Sequence, residues 1–135
     1  MSITAMREGL ETNLQTIEGL RGYSEIPENP QVPAAVVGLQ SIDYDQAFQR
    51  GLVLYNFTVT IIVGRFNSRS TQLRLNEYAD NSGAKSIKLA IQSDKTLSGS
   101  AFDVRVVSMD GISNIDLNDG NNYLGMEFSV TVYSD

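Results

Sequence analysis

Between residues 52 and 63 the chain reads LVLYNFTVTIIV, a run without charge, glycine or proline in which nearly every residue is β-branched, aromatic or aliphatic. In an extended chain Val53, Tyr55, Phe57, Val59, Ile61 and Val63 fall on one side, and Leu54, Asn56, Thr58, Thr60 and Ile62 on the other. Twelve such residues rise about 40 Å at ~3.3 Å each, which is long for one strand of a small domain. The first face reads as core. The second is mixed enough to be half covered, a neighbouring copy being one candidate cover. The run predicts the central strand of an antiparallel sheet, with the rest of the chain as its cover.

The flanking patterns supply that cover. Over 2–20 the residues Ile3, Met6, Leu10, Leu14 and Ile17 recur at spacings of three and four, which predicts an amphipathic helix laid on the sheet. Ser2 is its candidate N-cap, and Gly19 and Gly22 let the chain leave it. Gly9 weakens the interior by up to ~1 kcal/mol relative to alanine, so tertiary packing has to hold this helix in place. Pro27, Pro30 and Pro33 make 24–33 a non-helical lead-in to a short strand at 34–37. The polar segment 41–51 carries isolated Ile42, Tyr44 and Phe48 and reads as either a hairpin arm or a surface flap.

A second helix follows the long strand, capped at Asn67 or Ser68, with Leu73, Leu75, Tyr78 and Ala79 apolar. Residues 80–83 break it, and a shorter helix over about 84–92 is expected to bury Ile87, Leu89, Ala90 and Ile91 in part. Phe102, Val104 and Val106 alternate with Asp103 and Arg105 as a third strand, and 109–122 reads as a Gly/Asn/Asp loop. The last strand, 124–133, has a clean period of two: Leu124, Met126, Phe128, Val130 and Val132 inward, Glu127, Ser129, Thr131 and Tyr133 outward. This order predicts a single α+β domain, a two-layer sandwich whose mainly antiparallel sheet of about four strands has helices packed on one face.

Composition narrows the chemistry. A chain of 135 residues can bury roughly two thirds of its unfolded surface without cross-links. It contains no cysteine and no histidine, which excludes disulfides, thiolate metal sites, cysteine nucleophiles and Ser-His-Asp catalysis. A net charge of −6 argues against a grip on nucleic acid through phosphate neutralisation. Charge enters too early at the N-terminus for a secretory segment, and no apolar run approaches a membrane span. A soluble cytosolic protein with no cofactor, no membrane partner and no enzymatic activity is expected.

The candidate sites are few. Asp116, Asn118 and Glu127 occupy the first, third and twelfth positions of a calcium-loop template. Gly120 brings no ligand at the fifth, and Asn121 replaces the glycine needed at the sixth, so a plain polar hairpin loop is preferred. Asp43 and Asp45 stand as paired carboxylates without a partner base, and no phosphate-cradling glycine motif is present. Arg65 and Arg69 bracket the start of the second helix, with Arg74 a turn later. Cations there oppose the helix dipole, so local helix stability does not explain them. Two readings stay open: a solvated basic face, or an intersubunit ion pair with Asp43/Asp45 or Asp116/Asp119, the flap aromatics Tyr44 and Phe48 adding contact surface.

Several stretches together carry a family resemblance. A helix ends in GLR-x-Y (19–23), followed by P-x-x-P-x-x-P-A-A-V-V (27–37). A long apolar strand runs into R-x-x-x-R-x-x-Q-L (65–73), and later come S-I-x-x-A-I (86–91) and YLGMEF (123–128). Over almost its whole length the chain resembles the tail terminator proteins of long-tailed, siphovirus-type bacteriophages, in particular those of the actinobacteriophage type. Head-completion or stopper proteins of the head–tail junction are the alternative. The resemblance implies a structural virion protein forming a six-fold homo-oligomeric ring that caps the tail tube, ends tail polymerisation and offers the head-joining surface. The implied partners are further copies of itself, the tail tube protein, the head-completion or connector protein and the tape measure protein, with DNA passing through unbound. The implied location is the head-proximal end of the tail, reached through the host cytoplasm.

Overall fold

The computed structural model describes residues 2–23, 32–44, 52–65, 69–116 and 122–134. In chain order these form α1 (Ile3–Leu14), β1 (Arg21–Tyr23), β2 (Ala34–Asp43), β3 (Val53–Arg65), α2 (Arg69–Ala79), α3 (Ile87–Ile91), β4 (Asp103–Asp116) and β5 (Asn122–Ser134). The protein is α+β, with one five-stranded mixed sheet in the order β1-β2-β3-β5-β4. β3 sits in the middle and pairs antiparallel with both neighbours, as its apolar alternation predicts. The count of about four strands is corrected to five among the described residues, and β1 pairs parallel to β2. Three residues, Arg-Gly-Tyr, are too short a run to show a period, which is why this edge strand is not legible in the sequence.

One face of the sheet is apolar. Phe57, Val59, Ile61 and Val63 of β3 are buried, as are Met126, Phe128, Val130 and Val132 of β5. All belong to a single core cluster with Met6, Leu10 and Leu14 of α1, Leu75 and Tyr78 of α2, and Ile87 and Ile91 of α3. On the other face, Ile62 packs with Ala34 and Tyr123 in a small second cluster at one end.

α1 begins where expected: the Ser2 hydroxyl accepts the Ala5 N–H at 2.9 Å. It stops earlier, at Leu14, and tight turns carry the chain on, with Ile17 N–H donating to Leu14 O and Leu20 N–H to Ile17 O. Ile17 and Leu20 stay buried, so the stripe marks core positions beyond the helix itself. Gly9 is buried, and a Cβ there would lie 2.7 Å from Leu97 Cβ. The glycine that weakens the helix is what lets the 94–100 turn close onto it.

Two strands are longer than predicted. β2 continues to Asp43 through a register shift between Leu39 and Ser41, so the start of the 41–51 segment, residues 41–43, is strand. β4 continues to Asp116, with shifts between Val106 and Ser108 and between Asp110 and Ser113, so much of the expected 109–122 loop is paired with β5. Bulges break a period of two, and each hides the strand beyond it. Three apolar side chains assigned to the interior are exposed: Phe102 (53%) precedes its strand, and Leu73 and Leu89 point outward from α2 and α3. Thr131 lies on the second face, as its alternation predicts, and is buried there against Asn56. α3 is one short turn capped by Ser86, whose hydroxyl accepts from Leu89 N–H. Pro27, Pro30, Asn67 and Ser68 lie outside the described residues.

Candidate interface surfaces

The ladder registers sort the predicted site residues onto two ends of one sheet. At one end Asp43 pairs with Leu54, Leu54 with Tyr133, and Tyr133 with Asp103. At the other, Arg65 pairs with Tyr123, and Tyr123 with Ile115. Leu54 and Arg65 lie eleven residue steps apart along β3, roughly 36 Å at ~3.3 Å per residue. Arg65 and Asp43 therefore cannot meet within one copy. Asp116, by its pairing with Asn122, shares the Arg65 end. Asp45, Phe48 and Asp119 lie outside the described residues.

Arg69 opens α2, Arg74 lies in its second turn, and both are exposed, as is Arg65. No carboxylate whose side chain is described lies within ion-pair distance of these three. The ion pair formed among described residues is Lys85–Glu77 at 4.0 Å, between partly exposed side chains. The first turn of α2 contains no acidic residue, so the cost of placing Arg69 there is not offset locally. Arg74 does act on its own helix. Burial pushes the Tyr78 phenol above its ordinary pKa, and the Arg74 charge partly opposes this while Glu77 reinforces it.

Sequence reasoning missed what holds Asp43. Asn56 Nδ2 donates to Asp43 Oδ2 at 2.9 Å and to Ser41 Oγ at 3.0 Å, while Asn56 Oδ1 accepts from Thr131 Oγ1 at 3.1 Å. Thr58 Oγ1 donates to Gln40 Oε1 at 3.1 Å in the next row. The second face of the sheet is thus polar and cross-linked strand to strand over β2, β3 and β5. Tyr44 follows Asp43 and is 72% exposed. Three further charged residues join the account only through the register: Arg21 beside Ala34 at the Arg65 end, Asp103 at the Asp43 end, and Arg105 two residues beyond Asp103.

The free edge of β4 is partly closed. Val106 N–H donates to Gln92 Oε1 at 3.1 Å, and Val104 N–H to Asp103 Oδ1 at 2.9 Å. Both donors face away from β5, where another strand would otherwise pair, and side chains occupy them. Of the calcium template, Asn118, Gly120 and Asn121 lie outside the described residues, and Glu127 is exposed within β5 opposite Asp110. No helix among the described residues is long and apolar enough to cross a membrane. No protein-family model matches this chain, and no curated protein matches it.

Proposed function

We propose that this chain is a structural protein of a phage particle, a tail terminator. Copies join in a six-fold ring that caps the tail tube, halts its growth and presents the surface to which the head's completion or connector protein binds. The subunit works by shape and adhesion, without cofactor or bond-breaking chemistry. It is a two-layer sandwich, with helices over one sheet face and the polar face left to line or contact the rest of the particle. It is made in the host cytoplasm and resides in the virion at the head-proximal end of the tail. It contacts the tube protein and the tape measure protein there, and lets DNA pass unbound.

The observation that supports this reading best is the difference between the two ends of the sheet. A closed ring needs two unlike, complementary patches on each copy, whereas a self-matching patch closes as a dimer. An arginine end and a carboxylate-aromatic end on one rigid sheet suit the first arrangement. The excess of acidic residues also suits a conduit that DNA must traverse without being held. The test is tube assembly in vitro. Purified tube protein polymerised with this chain should give tubes of limited length carrying a ring at one end, and without it tubes should overgrow. Binding to portal–connector complexes and not to tube ends would instead favour a head-completion or stopper protein.

A further inference from the structure

We infer that neighbouring copies meet end to end along the strand direction, the arginine end of one sheet docking on the carboxylate-aromatic end of the next. The inference rests on the ring reading and names the contact that builds the ring. The chain carries a net charge of −6, so copies repel unless their cations are concentrated where they meet. They are concentrated. Of the chain's ten lysines and arginines, Arg21 and Arg65 are exposed at one end of the sheet, and the exposed Arg69 opens the helix whose Thr71 packs at Gly64 beside Arg65. The other end presents Asp43 and Asp103 with Tyr44 and Phe102, the last two 72% and 53% exposed. Glu18 precedes Arg21 and Asp116 shares the arginine end, while Arg105 follows Asp103, so each end carries opposing charge but keeps a majority of its own sign.

The chemistry of the two ends matches. Guanidinium groups pair with carboxylates in a planar fork and stack on aromatic faces, so Tyr44 and Phe102 beside Asp43 and Asp103 offer arginine both kinds of partner. Asp43 arrives pre-positioned, because Asn56 holds one of its oxygens on the sheet. Arginine and tyrosine are also the residues that most often anchor interfaces. Sheet-to-sheet extension is a poorer route, since the outward N–H groups of Val104 and Val106 are already taken.

The experiment is a charge-swap series on the full-length chain. One variant is Arg65→Glu with Arg69→Glu, the second is Asp43→Arg with Asp103→Arg, and a third combines all four. Folding is checked by circular dichroism. Assembly is read as capped tubes in electron micrographs and as assembly mass by light scattering at low and high salt. Each two-site variant alone should lose assembly roughly 100-fold, since like charges then face each other. An equimolar mixture of the two should recover it by alternation, as should the four-site variant, and salt should weaken wild-type assembly. Folded variants that assemble as well as wild type, or a mixture and a four-site variant that both fail to recover, overturn the end-to-end contact and leave the ring standing. Wild-type chain that forms no ring even on tubes overturns the ring reading itself.

Discussion

Asn13 on α1 and Ile91 at the end of α3 are 78 residues apart in sequence and joined by a hydrogen bond. Asn13 Nδ2 donates to Ile91 O at 3.0 Å and to Asp94 O, also at 3.0 Å. One buried amide thus satisfies two carbonyls where a very short helix runs out, tying the helical layer together across its own surface. Replacing Asn13 by alanine leaves both carbonyls without that donor. The expected loss is about 1–3 kcal/mol of unfolding free energy, measured by urea denaturation. An unchanged midpoint would show that the amide is not needed there.

Gly9→Ala separates local propensity from packing. Alanine is the better helix former by up to ~1 kcal/mol. Its Cβ would nevertheless sit 2.7 Å from Leu97 Cβ and 3.1 Å from Leu97 O, and backbone does not yield cheaply. The expected outcome is a lower melting temperature, a net loss of about 1–3 kcal/mol. A raised melting temperature would mean that the 94–100 turn moves freely away from α1.

Phe57 and Thr58 are neighbours on opposite faces of β3. Phe57 is fully buried, and its alanine variant should lose about 3–5 kcal/mol. Thr58 is only half-buried and donates to the exposed Gln40, so Thr58→Ala should cost less than about 1 kcal/mol. Similar costs at both positions would contradict the assignment of one apolar and one polar face.

Asp94 sets an acid limit for its turn. Its carboxylate accepts from Thr96 Oγ1 at 2.8 Å, Ser98 N–H at 3.0 Å and Thr96 N–H at 3.1 Å, and these bonds hold its pKa below the ordinary carboxylate value. The folded form binds its proton less readily than the unfolded one. The contribution is therefore present above the ordinary aspartate value near pH ~3.9 and is lost as pH falls through the depressed one. The protection of the Thr96 and Ser98 amides, taken as exchange relative to the intrinsic rate at the same pH, should fall on acidification below that point. In Asp94→Asn this pH response should be absent.

Much of this fold is legible in the chain because β3, β5 and α1 keep their periods without interruption. Phe57 and Phe128 land inward on alternation alone, and Met6, Leu10 and Leu14 on helical spacing. Legibility fails where geometry breaks the period. The bulges after Leu39 and Val106 turn apparent loop into strand, and Phe102 and Leu73 face solvent although their types suggest core. The candidate interface is readable only in part for a related reason. The arginines announce themselves at a helix start, but only the registers show that Arg21 joins them and that Asp43 and Asp103 stand some strand-length away. No local pattern encodes that distance.

The proposed role, a ring between tail tube and head, is checked by cryo-electron microscopy of the mature particle. A ring of copies of this five-stranded sheet is expected at the junction beneath the head, each copy's Arg65 end against its neighbour's Asp43 end. The same fold found at another position in the particle, or absent from it, would overturn the proposed role.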